Sequence, residues 1–356
     1  MYKEQEHLTS NDTINLGSYY TKFELVNIVY DLLQRHINDF NEYTIIDTSC
    51  GYGSFLDYNI SNKKIGADID NIALLNIKSE VTVINHNSLL NTTRQDYNLF
   101  DNEKVIIVGN PPYNDTTSLI KNKIKTTQKN IDNDIKSRDI GISFLRSYQK
   151  LGADFICVLH PLSYLIKKTN FDALKSFKYS YKLIDSVIVS SGEFYKTSKT
   201  TQFPIVIALY KKDDCGMDYD YILNYNFKTK EGKFFRIGSM DFIGNYITKY
   251  PNKQAVKIED TIAYFWTMRD INALKRSKTF INKESYNTIR VTKYNLHYYQ
   301  YVDVFKQYIS HIPYYFGNCD VFINNTYFLE NQNIFINYEK EKLDIYFRDL
   351  LGEHYV

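Results

Sequence analysis

Val105-Ile106-Ile107-Val108-Gly109-Asn110-Pro111-Pro112-Tyr113 is an uncharged apolar run that ends in an unusual polar exit. A short β-branched run of this kind reads as a strand buried on both faces. The two prolines end it, because proline brings no backbone N–H to a ladder and holds φ near about −65°. Asn110 offers a side-chain amide oxygen, and Pro111 offers a backbone carbonyl with no competing donor. Two acceptors so placed suit the two N–H bonds of one amino group. An amine conjugated to an aromatic or amide system is a poor nucleophile, because its lone pair is delocalised. Holding both hydrogens draws the nitrogen toward tetrahedral geometry and frees that pair for attack. Pro112 stiffens the exit, and Tyr113 offers a flat face on which a planar group can stack. The plain alternative is a proline-induced strand end with a surface tyrosine.

Six further β-rich runs flank this one: Thr44–Ser49, Lys64–Ile69, Val81–His86, Asp154–His160, Asp185–Ser190 and Phe203–Tyr210, beside Lys104–Gly109 itself. Helix-like stretches separate several of them, Phe23–Ile37 before the first and Ile142–Leu151 before the fifth. Strands alternating with helices predict an α/β domain, a mostly parallel sheet covered on both faces.

The chain has 356 residues, enough for one large or two ordinary domains, and a formal charge of only +2. No overall field recruits a polyanion, so any nucleic-acid surface must be local. The 33 Tyr and 22 Phe are in excess, and a compositional bias shared with Asn, Lys and Ile explains their number. Cys50, Cys157, Cys215 and Cys319 are too scattered for a disulfide framework or a zinc site, so no metal is expected and a reducing cytoplasm is. No segment approaches the ~20 apolar residues of a membrane helix, so no membrane association is expected either.

Thr116–Arg138 is polar and lysine-rich, and its place after the Asn-Pro-Pro-Tyr exit marks it as a DNA-facing or substrate-ordered loop, with a solvated loop as the alternative. The cluster Lys211-Lys212-Asp213-Asp214-Cys215-Gly216 is read as a domain boundary. It separates a catalytic domain, 1–212, from a smaller domain, 213–356, that loses the βα alternation.

Asp47-Thr48-Ser49-Cys50-Gly51-Tyr52-Gly53-Ser54-Phe55-Leu56 follows the first strand. Gly51 and Gly53 allow a ligand close to the backbone, yet the spacing fits neither a dinucleotide nor a phosphate loop. Asp68, at the tip of the second strand, is placed to bind ribose hydroxyls, with Asp70 as the alternative. Asn87, after the third strand, is placed to meet an adenine edge. Ribose and adenine without phosphates point to S-adenosylmethionine. Upstream, Thr21 with Glu24 reads as a helix capping box. His160, at a strand end, reads as a packed side chain.

These motifs together resemble the S-adenosylmethionine-dependent N6-adenine DNA methyltransferases of the gamma or Taq-type arrangement. Gly17–Thr21 is similar to that family's N-terminal cofactor motif, with Lys22 in place of a proline. Asp47–Leu56 is similar to its glycine-rich motif, with Thr48 in place of a proline, and Asn87 stands where an aspartate is usual. The resemblance covers residues 15 to about 212. It implies a Rossmann-like seven-stranded methyltransferase sheet with a C-terminal target-recognition domain, and methylation of an adenine flipped out of duplex DNA. The catalytic group would be Asn110, Pro111, Pro112 and Tyr113. Thr21, Asp47, Cys50, Gly51, Gly53, Asp68, Asn87 and Asn110 would meet the cofactor. Tyr113 and Phe194 would stack on the base, with Tyr195 as the rival to Phe194. The expected setting is a type II restriction-modification system, the enzyme a monomer and the cognate endonuclease a separate protein. A protein-glutamine methyltransferase acting on release factors and an RNA methyltransferase are the alternatives.

Overall fold

The computed structural model describes residues 21–113, 130–194, 202–251 and 256–356. The expectations placed on 17–20, on the lysines of 114–129 and on Tyr195 lie outside the described residues.

Each of the seven runs forms a strand: β1 (Thr44–Asp47), β2 (Lys64–Asp68), β3 (Thr82–Asn85), β4 (Val105–Gly109), β5 (Phe155–Pro161), β6 (Tyr181–Ser190) and β7 (Pro204–Lys212). β6 begins at Tyr181, ahead of the expected Asp185, because its first half alternates buried and half-buried positions instead of running apolar. One sheet holds all seven in the order β3-β2-β1-β4-β5-β7-β6. Pairing is parallel for β2–β3, β1–β2, β1–β4 and β4–β5, and antiparallel for β5–β7. Every residue of β1, β4 and β5 is buried, as their continuous apolar sequences require, whereas β3 at the sheet edge is mostly exposed. The order reverses between β1 and β4, and in open α/β sheets ligands bind at the carboxyl ends of the strands beside that point.

Helix α1 (Phe23–His36) turns Leu25, Val26, Val29, Tyr30, Leu32 and Leu33 inward and packs on β5 and β6. Burying each aliphatic side chain of this size contributes about 1.5–3 kcal/mol. Its last turn carries Arg35 and His36, favourable at the negative end of the helix dipole, and His36 Nε2 lies 2.7 Å from the Asp185 carboxylate. Helix α2 (Ile140–Leu151) starts with Asp139 accepting from the Gly141 N–H and stops at Gly152 in the left-handed region.

The chain divides into two compact units: Met1–Lys199 with Ile205–Phe234, and Thr200–Pro204 with Phe235–Val356. The division therefore falls beyond the 212/213 boundary read from the charged cluster. Residues 213–234 pack on the first unit because their apolar groups find partners there. Ile222 is fully buried, Tyr219 and Tyr221 donate to the carbonyls of Ile166 and Leu183 at 2.7 Å, and Thr229 bridges to Ile188 beside strand β8 (Phe227–Lys228). β8 pairs with β9 (Phe234–Phe235).

The second unit contains a three-stranded antiparallel sheet, β10 (Ala263–Trp266) between β11 (Phe280–Ile281) and β12 (Thr288–Val291), and helices α3 (Leu296–Gln307) and α4 (Lys340–Leu351). Its core is aromatic. Tyr301 is fully buried among Phe328, Phe335, Tyr346 and Phe347, with ring centroids 5.0–6.2 Å away, and donates to the Phe322 carbonyl at 2.7 Å.

Candidate active site

The carboxyl ends of β1, β2 and β4 bring the expected residues to one edge of the sheet. Asp47 ends β1 and is 2% exposed, its Oδ1 accepting from the Ser49 N–H at 3.1 Å. Gly109 ends β4 at φ +148°, and a Cβ there would lie 2.8 Å from Asp47 Oδ1. Only glycine lets strand β4 pass that carboxylate at this distance. Burial, partly offset by the Ser49 N–H and reinforced by Asp68, pushes the Asp47 carboxyl up to about 8.

The glycine turn leaves β1 with Gly51 at φ +50° and Gly53 at φ +78°. The Cys50 N–H donates to the Ala67 carbonyl at 3.0 Å, so the turn lies against β2. Cys50 is buried, and burial with the nearby Asp47 raises its thiol well above the ordinary range; it packs as a small apolar group. Asp68 accepts from the Gly51 N–H through Oδ2 and from the Asp70 N–H through Oδ1, both at 2.9 Å. Burial raises its carboxyl, and those two N–H groups oppose the rise. A carboxylate has about four acceptor sites, so these bonds orient Asp68 without exhausting it. Asp70, the alternative, caps the turn Asn71–Leu74, its Oδ1 accepting from the Ile72 and Ala73 N–H groups.

Asn87 is fixed from both ends of its amide. Nδ2 donates to the Asn130 carbonyl at 2.9 Å, and Oδ1 accepts from the Leu89 N–H at 3.1 Å with a second lone pair remaining. Behind it, Tyr97 donates to Ser88 Oγ at 2.8 Å and Ser88 Oγ to the Thr48 carbonyl at 2.6 Å. Thr92 and Ser147 both donate to the Ser88 carbonyl. This buried hydroxyl network ties the tip of β1 to the segment carrying Asn87, and none of its hydroxyls was given a role from sequence. The described part of the lysine-rich stretch is anchored too. Ile131 and Ile135 are buried, and the buried Arg146 donates to the carbonyls of Ile135, Lys136 and Ala173.

Asn110 follows β4 directly, and its Nδ2 donates to Thr21 Oγ1 at 3.1 Å. Thr21 is 3% exposed. The capping box does not form: Lys22 is the N-cap of α1, with no side-chain cap bond. The Thr21 hydroxyl serves Asn110 instead. Lys22 reaches Glu193 at 3.5 Å, and Lys230 reaches the same carboxylate at 2.8 Å. Burial would raise the Glu193 carboxyl, but Lys230 and Lys22 together outweigh it and the net shift is downward.

Pro111 is buried, while Pro112 and Tyr113 are half-buried. Tyr113 backs onto the start of α2, where a Cβ on Gly141 would lie 3.1 Å from Tyr113 Cβ and 2.6 Å from Tyr164 Oη. Tyr164 donates to Asp139 and stacks on His160 at a 5.3 Å centroid distance. His160 is the packed residue expected. Its Nδ1 lies 3.0 Å from the Pro161 carbonyl, its Nε2 is 2.7 Å from the Tyr210 hydroxyl, and burial lowers it to about 4. Phe194 follows the turn Ser191–Glu193 and is 3% exposed, so in this conformation it presents no open face.

No protein-family profile matches the chain, and no curated protein matches it. Solved structures do. One is the type I restriction-modification system methyltransferase subunit from Streptococcus thermophilus, with 14% identity, TM-score 0.40, and coverage of 61% of this chain and 49% of that one. Another is the DrdV–DNA complex, with 17% identity, TM-score 0.42, and coverage of 64% and 29%. A third is the Mtq2–Trm112 complex of E. cuniculi, responsible for methylation of the eRF1 translation termination factor, with 14% identity, TM-score 0.34, and coverage of 55% and 99%. The chain thus spans about half or less of the first two. Among the described residues no helix is long and apolar enough to cross a membrane. The seven-stranded sheet, with β7 inserted antiparallel between β5 and β6, is the Rossmann-like sheet expected from the sequence.

Proposed function

We propose that this protein methylates an amino nitrogen whose lone pair is held by resonance, and that the nitrogen is N6 of an adenine extruded from duplex DNA. The observation that carries the reading is the setting of Asn110. It stands at the end of β4, next to the glycine that admits Asp47, and its amide NH₂ is engaged by Thr21. Donation from Nδ2 to Thr21 orients the amide so that Oδ1 is the atom offered to a substrate. Oδ1 and the Pro111 carbonyl then accept the two N–H bonds of the amine. Tyr113, held against α2, supplies one stacking face. Phe194 is the second face, reached when the turn at Ser191–Phe194 opens.

S-adenosylmethionine, when bound, supplies a methyl group already activated on a sulfonium. Asp68 holds the ribose, Asn87 Oδ1 the adenine edge, and the backbone at Gly51 and Gly53 approaches the cofactor. The carboxylate of Asp68 complements its positive charge. Transfer to the amine needs little beyond alignment, so positioning supplies most of the rate. Extrusion of the base costs a few kcal/mol, offset in part by stacking on Tyr113. The second unit is read as the target-recognition part, and a type II modification enzyme with a separate endonuclease is the setting this reading implies.

The test is transfer of a labelled methyl group from S-adenosylmethionine to duplex DNA, total RNA and release factor in parallel. Label in DNA, recovered as N6-methyladenine, is the expected result. Label in release factor or RNA alone replaces the DNA reading with one of the two alternatives.

A further inference from the structure

The charge of the second unit is sharply divided. Residues 256–294 contain eight Lys and Arg against four Asp and Glu, whereas 295–356 contain four against eight. The chain as a whole carries +2, so everything outside 256–294 is net negative. The basic segment is the three-stranded sheet with its loops.

Strand register sorts that charge further. Trp266 pairs with Thr288 and its N–H donates to the Thr279 carbonyl at 2.8 Å, while the Thr267 N–H donates to the Asn287 carbonyl at 2.8 Å. The end of β10 therefore lies beside Lys278, Thr279, Tyr286 and Asn287. Arg269 follows β10 at this end, and the helix Ile271–Arg276 returns the chain to Lys278. Arg269, Lys275, Arg276 and Lys278 are all exposed. The acid in this group, Asp270, caps that helix by accepting from the Ala273 N–H. Tyr286, just before β12, is fully exposed, and Trp266 on β10 and Phe280 on β11 are partly exposed at the same end of the sheet.

The opposite end of the sheet differs. Lys257 faces Glu259 at 3.9 Å, and Arg290 is paired with Glu284 at 2.7 Å. Arg269, Arg276 and Lys278 have no carboxylate at ion-pair distance among the described residues. A cluster of unneutralised cations around an exposed aromatic is the combination that binds a nucleic-acid backbone by counterion release and adjoining contacts.

We propose that this end of the sheet, Arg269, Arg276 and Lys278 with Tyr286, is where the second unit grips the phosphate backbone of duplex DNA. The choice of DNA as occupant rests on the function proposed above. The cations neutralise phosphates, and the Tyr286 hydroxyl donates to a phosphate oxygen. These contacts position the duplex without reading its sequence.

The test is fluorescence anisotropy of a labelled duplex against the full chain across a salt series, with wild type, R269A/R276A/K278A, Y286A and a control, K340A/K342A, on the acidic part. Three lost phosphate contacts should lower the slope of log affinity against log salt by about 2–3 and weaken binding at least tenfold at ~0.1 M salt. Y286A should weaken binding without changing the slope, and the control should behave as wild type. Equal slopes for the triple variant and wild type overturn the proposal, as does a control that loses as much. Methyl transfer is read separately with the same proteins. DNA methylation by wild type with unchanged binding of the triple variant sinks the grip alone. A patch-dependent grip on DNA with label only in protein or RNA sinks the adenine reading alone.

Discussion

The two sheets of this molecule are built on opposite plans. In the first unit apolar runs fill β1, β4 and β5 completely, and the polar groups wait at the strand tips, each oriented by a backbone or hydroxyl partner: Asp68 by Gly51 and Asp70, Asn87 by Asn130 and Leu89, Asn110 by Thr21. In the second unit the small sheet is half-exposed, Arg269, Arg276 and Lys278 at one end of it have no carboxylate at ion-pair distance among the described residues, and interlocked rings pack around Tyr301. Oriented polar groups suit chemistry at one atom. Unpaired charge suits loose attachment to a repeating polyanion.

The largest expected effect is on the first plan. In the proposed reaction Asn110→Ala removes an acceptor needed only when the amine is activated, so methyl transfer should fall at least ~10³-fold, equivalent to about 4 kcal/mol. Cofactor binding by equilibrium dialysis should stay within a few-fold, and surviving activity would remove Asn110 from its role. Next is the aromatic core. Tyr301→Ala should cost about 3–5 kcal/mol in denaturant unfolding, with cofactor binding retained at low denaturant. Loss of cofactor binding in parallel would break the division between the two plans.

Gly109→Ala places a methyl 2.8 Å from the Asp47 carboxylate at an unfavourable φ. A stability loss of about 2–3 kcal/mol is expected, relieved in the double variant with Asp47→Gly if the clash is the cause. A smaller effect is pH-dependent. The Asp47 carboxyl titrates near 8 in the folded chain and near 4 when unfolded. Between those values the folded state holds the extra proton, so stability contributed by this group is complete below about pH 4 and is lost as pH rises through 8. Melting temperature should therefore decline over that window, and Asp47→Asn should flatten the decline. An unchanged slope would show that the carboxyl is already ionised. The smallest effect is Thr21→Val, which frees the Asn110 amide to turn. A roughly tenfold drop in kcat with unaltered KM for S-adenosylmethionine is expected, about 1.4 kcal/mol; a change in KM alone would return Thr21 to the cofactor.

Much of the first plan could be read in the residues themselves. Val105–Gly109 could only be a covered strand, and two prolines after it could only be an exit. What could not be read was which polar neighbour holds which. Thr21 followed by Glu24 satisfies every local rule for a capping box, yet its hydroxyl goes to a residue 89 positions away. Asp68 was favoured by position with Asp70 as the alternative, and only the fold shows that Asp70 caps the turn at Asn71 while Asp68 accepts from the Gly51 N–H. Ser88, Tyr97 and Ser147 carried no local signal, because a buried hydroxyl network is defined by distances across the fold. Phe194 showed the same limit, its side chain buried where a stacking face was expected.

By itself, then, the order of apolar runs, glycines and prolines determined a covered α/β sheet with a polar edge, since periodicity and backbone chemistry act over a few residues. The tertiary structure decided which side chains at that edge are oriented and which are spent on capping. It also decided where the chain divides, which tyrosines form a core, and where the cations of the second unit collect. Those are matters of contact between residues far apart in sequence, and no local propensity carries them.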